Sequence, residues 1–314
     1  MNGDDDDRKV AALLEQAGRH RRTGNATGAI DLLRRALALA PDHARAHALP
    51  ALVLLDMQRV AGAAVEAGRA LVLDADDGYC HYVAAAVRRA ERDLDDAWRH
   101  CAVALDADPH DVDARVLGAS IRVLQGARGD ARRLLDEALA IAPEAANVLA
   151  ARARLALQDG EVDDAARWIE RALKAEPTRA ESHVIAGYVA LRRGDPGGAE
   201  DHARAALNAN AANPDALELW GAIKAHRSAL LGAWWRFNAL VSLRSERGQL
   251  GILIGSFVVV RLAILIAHAA GWEGLASVLS WGWLGFCAYT WVAPELFRRA
   301  VKKDLATVVL RGDY

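Results

Sequence analysis

Residues 112–143 read VDARVLGASIRVLQGARGDARRLLDEALAIAP. Two apolar-periodic stretches flank Gly126, and Pro143 stands just past the second, where it stops a helix. The arrangement returns every 34 residues, in frames that open at Val10, Ala44, Gly78, Val112, Ala146 and Ala180. Alanine fills the twentieth position of all six (Ala29, Ala63, Ala97, Ala131, Ala165, Ala199) and the twenty-seventh (Ala36, Ala70, Ala104, Ala138, Ala172, Ala206). Leucine follows it each time, from Leu37 to Leu207. The eighth position is small throughout: Ala17, Ala51, Ala85, Ala119, Ala153 and Gly187. Position thirty-two is Pro41, Pro109, Pro143 and Pro177 in four frames, and Ala75 and Ala211 in the others.

The pattern predicts two helices per frame, packed closely where the small residues meet. Gly24, Gly126, Gly160 and Gly194 sit at the break, where a helix end favours a left-handed residue. One helix pair cannot bury its apolar face alone, so neighbours must stack into a solenoid.

These columns resemble the tetratricopeptide repeat, over residues 10–213. The sequence departs from the family at two large aromatic positions. The fourth position is Leu13, His47, His81, Arg115, Leu149 and His183, and the eleventh is His20, Leu54, Arg88, Arg122, Ala156 and Ala190. Looser packing is expected there, in frames two and three above all. The resemblance implies an all-α, right-handed superhelix of about six helix pairs with first helices lining a concave face. It also implies that positions two, five, nine, twelve and thirteen face the groove. Carried over, these give Arg21, Arg22, Arg45, Tyr79, Tyr82, Arg89, Asn147, Arg154, Glu181, Tyr188 and Arg192 as candidate partner-binding residues. Arginine and tyrosine carry much of the energy of protein interfaces. The lysine–asparagine clamp of chaperone-tail binders is not reproduced, so the expected partner is another protein or peptide.

The chain has 39 Lys+Arg against 41 Asp+Glu, a net charge of −2, which excludes a strongly basic nucleic-acid binder. A hydrophobic content of 53% excludes wholesale disorder. Three cysteines without a CxxC pair exclude a disulfide scaffold. No phosphate-loop, dinucleotide, zincin or nucleophile-elbow motif occurs, so no enzymatic role and no cofactor is expected. Cys80, His81, His100 and Cys101 fall in one helix pair, but adjacent helical residues point ~100° apart, which disfavours a shared zinc site.

The last third differs. From Leu231 to Tyr314 nine basic residues oppose five acidic ones, leaving residues 1–230 at −6. GQLGILIGSFVVVRLAILIAHAAG covers 248–271 and WEGLASVLSWGWLGFCAYTWVAP covers 272–294, each ~20 residues and long enough to cross a bilayer. The expected organisation is an acidic tail (1–9), the solenoid (10–213), a capping helix (214–229), an interfacial helix (230–248), a transmembrane hairpin (249–294) and a basic tail (295–314). Trp234, Trp235, Arg236, Phe237, Arg244, Arg247, Trp272, Trp291, Arg298, Arg299, Lys302 and Lys303 are the expected membrane-interface residues. Basic residues on both flanks put both termini and the repeats in the cytoplasm, and no signal peptide opens the chain. The arginine-rich, alanine-rich composition points to a bacterial inner membrane. Buried core helices are the soluble alternative for the two runs; tryptophans and basic flanks argue against it. Arg261 lies mid-segment, where it either faces a partner helix, pore or oligomer interface, or snorkels or stacks on a tryptophan such as Trp283. Two functions follow: a membrane-tethered adaptor whose groove docks a protein or peptide, or an oligomeric membrane component, such as a pore or transport subunit, assembled through the hairpin and Arg261. Homo-oligomerisation through the solenoids is a further expectation.

Overall fold

The computed structural model describes residues 3–209, 213–227 and 246–285, and every regular element among them is an α-helix. In chain order these are α1 (Gly3–Arg22), α2 (Ala26–Leu39), α3 (Ala44–Asp56), α4 (Val60–Leu73), α5 (Gly78–Ala90), α6 (Leu94–Ala107), α7 (Val112–Leu124), α8 (Arg128–Ile141), α9 (Ala146–Asp159), α10 (Val162–Ala175), α11 (Ala180–Arg192), α12 (Pro196–Ala209), α13 (Pro214–Arg227) and α14 (Glu246–Ala269). From α3 to α13 the first helices start 34 residues apart, and the second helices keep the same spacing from α2 to α12.

Capping fixes the starts. The side chains of Asn25, Asp77, Asp93 and Asp111 each accept a backbone N–H two or three residues on, satisfying a donor that the first turn leaves free. Helix α1 begins at Gly3, inside the stretch expected to be an acidic tail. An acidic residue near a helix N-terminus meets the positive end of its dipole, and Asp6 and Asp7 stand there.

The described residues divide into two units. The first holds the repeats up to Arg193; the second takes up from Pro214; the sixth repeat's second helix contributes to both. Within the first unit each first helix packs on its own second helix and on the first helix of the next repeat, while each second helix packs forward only onto the next first helix. First helices therefore form the inner layer, and their free side is the concave face.

The core of that unit is made of the repeated small positions. Ala29, Ala63, Ala97, Ala131 and Ala165 are fully buried, and so are Ala17, Ala51, Ala85 and Ala153. A methyl group at each crossing lets backbones approach; anything larger would wedge the pair apart. The leucine column flanks them, half-buried from Leu37 to Leu173.

Frames two and three are not looser at the fourth position. His47 Nε2 donates to the Pro41 carbonyl at 2.9 Å, His81 Nε2 to Ala75 at 2.8 Å, and His183 Nε2 to Pro177 at 2.8 Å. Each bond ties a first helix to the loop before it, so imidazole polarity replaces aromatic bulk. His47 Nδ1 also lies 2.8 Å from Glu66 on α4. At the eleventh position Arg88 pairs with Asp96 at 2.9 Å, and Arg122 stacks 3.7 Å above the Trp98 ring.

The left-handed break is present in all six repeats, including the two that lack glycine. Gly24, Gly126, Gly160 and Gly194 have φ between 75° and 84°, and Gln58 and Arg92 take φ of 60° and 67° at the equivalent places. A side chain there brings Cβ against the carbonyl, at about 1–2 kcal/mol.

In the second unit α14 ends at Ala269 and the chain is helical again over 273–285. Gly271 turns it at φ 76°, Trp272 N–H donates to Ala267 O at 2.8 Å, and His268 pairs with Glu273 at 3.0 Å. Phe257 meets Trp283 with ring centroids 6.4 Å apart, so the two stretches fold back on each other. Ile264, Ala267 and Ala276 are buried. The two membrane spans expected over 249–294 gain no support: among the described residues no helix is long and apolar enough to cross a membrane. The interfacial segment around Trp234–Phe237 and Arg244, and the tail bearing Trp291, Arg298, Arg299, Lys302 and Lys303, lie outside the described residues, as does the Arg247 side chain.

Relieving the two strained breaks is expected to stabilise the solenoid. Gln58→Gly and Arg92→Gly should each raise the urea-unfolding free energy by about 0.5–1 kcal/mol, net of the entropy a glycine adds to the unfolded chain. Gly160→Ala, with nothing within 4 Å of the added methyl, should lower it by about 1 kcal/mol through backbone strain alone. Equal midpoints for the variants and the parent chain would refute this.

Candidate partner-binding groove

The inner layer sets charged and aromatic side chains from successive first helices beside one another. Arg21 on α1 donates to Asp56 on α3 at 2.8 Å. Arg45 at the start of α3 grips Asp77 with two nitrogens, at 2.7 and 3.2 Å, and lies 5.7 Å from the centre of the Tyr79 ring. Tyr79 and Tyr82 on α5 stack with centroids 6.0 Å apart and planes 24° from parallel. Burial pushes both phenols above their ordinary value, so they stay neutral hydrogen-bonding groups. Arg89 on α5 donates to Ser120 Oγ on α7 at 2.9 Å. Asn147 on α9 donates to Asp113 on α7 at 2.6 Å. Arg154 on α9 pairs with Glu181 on α11 at 3.1 Å, and Arg179 reaches the same carboxylate at 3.2 Å.

Nine of the eleven predicted groove residues thus lie on or beside this network or, like Tyr188, are half-buried on the same layer. Arg22 and Arg192 stand exposed at the C-terminal ends of α1 and α11. The sequence reading missed Asp56, Asp113 and Ser120, although they occupy positions thirteen, two and nine, the columns it used. The signal was there; the selection favoured arginine and tyrosine. Asp113 is open to the groove, yet surrounding protein and nearby Asp111 raise its carboxyl above the usual value.

The arrangement is preorganised. Apart from the local Arg179–Glu181 contact, each polar bond reaches from one first helix to the next, so the side chains are held before a partner arrives. The histidine–cysteine set forms no such site. Cys80 and Cys101 are fully buried thiols whose pKa burial pushes up to about 12, and Cys101 Sγ donates to Ala114 O at 3.4 Å. Among the described residues no group of three or more His, Cys, Asp or Glu is placed to hold a metal ion. His81 and His100 meet instead, Nδ1 to Nδ1, at 2.8 Å. Since His81 Nε2 donates to a carbonyl, His81 Nδ1 accepts and His100 Nδ1 donates.

Two tetratricopeptide-repeat family models match the chain, over residues 14–79 and 122–184. The helix pairs of the solenoid are tetratricopeptide-like, and over those two stretches the sequence itself is similar to that repeat. Among solved structures, the APC/C hetero-tetramer Cut9–Hcn1 matches with TM-score 0.61 at 14% identity, covering 92% of this chain and 55% of that one. A thermophilic TPR protein of Thermus thermophilus matches with TM-score 0.52 at 20% identity, over 58% and 99% of the two chains. Yeast Tom70 matches with TM-score 0.51 at 17% identity, over 81% and 54%. At these identities the tetratricopeptide likeness bears on the fold alone. The comparison with curated proteins returns no match.

The His81–His100 contact predicts an acid sensitivity of the third repeat. Burial, with His81, Arg88 and Arg99 facing the ring and Asp96 only partly opposing them, lowers the His100 pKa below 6.5. A depressed base favours folding while neutral, so its contribution is full above pH 6.5 and is lost as pH falls through the folded value. The urea midpoint of the protein should drop between pH 7.5 and 5, and His100→Gln should flatten that drop. An unchanged slope would remove His100 as its source.

Proposed function

We propose that this tetratricopeptide solenoid docks an extended segment of a partner protein along its first-helix face, and that the C-terminal part of the chain holds the complex at a membrane. The observation that carries the docking reading is the Tyr79–Tyr82 pair, stacked on the inner layer and framed by side chains already held by cross-repeat bonds. Rigid aromatic surface beside preplaced polar groups binds at low entropic cost. The reading assigns the chain no catalytic step and no nucleic-acid partner.

What supports the membrane half is the second unit's surface. Phe257, Val259, Leu262, Leu265, Ile266, Trp272, Val278, Trp281 and Leu284 are each half or more exposed. Soluble monomers rarely leave so many large apolar side chains together in water. Basic residues flank the stretch in sequence and suit an anionic surface, and the proposed location is the cytoplasmic side of a bacterial inner membrane. Arg261 is exposed on α14, and no observation favours the oligomeric pore over the adaptor.

Membranes from cells expressing the full chain test both halves. After an alkaline carbonate wash the protein is expected to stay in the pellet, and in sealed vesicles protease should cut the repeats only from the cytoplasmic face. Release by the wash would retire the embedded tail and leave a peripheral solenoid. Tyr79→Ala with Tyr82→Ala should weaken capture of a crosslinked partner by roughly tenfold or more, the scale of an interface hot spot, while helicity is kept. Undiminished capture would move the docking surface elsewhere.

A further inference from the structure

The cations of the inner layer are not equivalent. Arg21, Arg45, Arg154 and Arg179 each hold a carboxylate of this chain within 3.2 Å. Arg89 holds none. Its hydrogen bond goes to the neutral Ser120 hydroxyl, which itself donates to Leu117 O at 2.6 Å. The residue is half-buried, and none of its nitrogens is both shut from solvent and unpartnered. It therefore presents a partly dehydrated guanidinium with free donors toward the groove. Burial above all, with the like charges of Arg154 and Arg92 and against the partial opposition of Tyr82 and Glu181, lowers its pKa, so the protonated form gains from an arriving anion. A guanidinium offers five donors in a planar fork and pairs with a carboxylate through two parallel bonds. Seven residues before it on the same helix, two turns away, Tyr82 supplies an aromatic surface on the same side.

We propose that Arg89 is the docking point for an acidic side chain, Asp or Glu, of the partner segment, seated against Ser120 with the flanking residues of that segment on Tyr82 and Tyr79. The inference rests on the groove reading above and names the chemistry that it selects. A side chain rather than a chain end fits because Arg89 lies on the third of six repeats. A segment seated there has groove before and after it: Tyr79 and Asp56 on one side, Asn147 and Arg154 on the other. Arg21, Arg45, Arg154 and Arg179 are already paired with acids of this chain, Arg22 and Arg192 stand out at helix ends, and the Asp113 carboxylate, held by the neutral Asn147, disfavours an acid beside it, so the requirement is for one acid at one place rather than for an acidic peptide at large.

The test is a selection of 12-residue random peptides, displayed internally on phage, on the purified full chain in mild detergent. Aspartate or glutamate should be enriched at one fixed position, and the enrichment should vanish when the panning is repeated on Arg89→Gln. A selected peptide should lose about tenfold in affinity when its acid becomes the amide, and that change should have no effect on binding to Arg89→Gln, because a charge pair couples its two members. Peptides selected without a fixed acid, or with one that persists on Arg89→Gln, would overturn the proposal and leave the groove standing. Failure to select any peptide would overturn both. A synthetic peptide that ends in a free carboxylate at the selected position, and binds as well as the internal acid, would show that the site reads a chain end instead. Stability separates docking from structure. Arg89→Gln removes a dehydrated cation without a carboxylate, so its melting temperature should hold or rise; a fall of more than about 5 °C would mark Arg89 as part of the scaffold and overturn the proposal.

Discussion

The close approach of helices at the alanine columns is the constraint on which everything else depends. Ala29 and its five equivalents, with the small residues at position eight, leave no side-chain volume where the two helices of a repeat cross. That contact fixes the distance within a pair and, because the column repeats unchanged, holds the same distance from one pair to the next. The inner layer of first helices, and hence the groove, follows from it. A single larger side chain at one crossing would displace not one residue but the registration of every rung beyond it.

On that scaffold, polarity does the work that aromatic bulk does in the family the repeats resemble. The histidines at the fourth position bond back to the preceding loop carbonyl, and arginines at the eleventh position pair with acids or stack on Trp98. A half-buried imidazole is smaller than an indole and loses dispersion contacts, but a satisfied hydrogen bond fixes orientation more narrowly than packing does. The groove uses the same principle. Arg21–Asp56, Asn147–Asp113 and Arg154–Glu181 each join neighbouring repeats, so the surface offered to a partner is stiffened by bonds that also tie the solenoid together.

Helix boundaries were legible because their signals are local and repeated: a glycine at the break and a proline after the second helix. The breaks at Gln58 and Arg92 were not, since the chain there is forced left-handed by the repeats on either side and not by its own preference. The start of α1 at Gly3 falls inside the stretch expected as a tail. In the groove the columns were right and the choice of residues was partial. Asp56, Asp113 and Ser120 sit in those columns, but a short polar side chain announces nothing until its partner on the next helix is known. The apolar run after 248 told its hydropathy and not its depth. The described part of it folds back at Gly271 with its large side chains outward.

Neighbour-only contact also gives the solenoid a mechanical character. Helices of the second layer touch no helix of their own kind, so stretching the molecule along its axis opens only one side of each repeat interface while the inner layer acts as a hinge. Such a stack behaves as a spring whose compliance is the sum of its joints. The strained breaks at Gln58 and Arg92 lie within repeats and are not among these joints. Extension would loosen the second-helix side of each interface before it disturbed the first-helix layer that carries the groove.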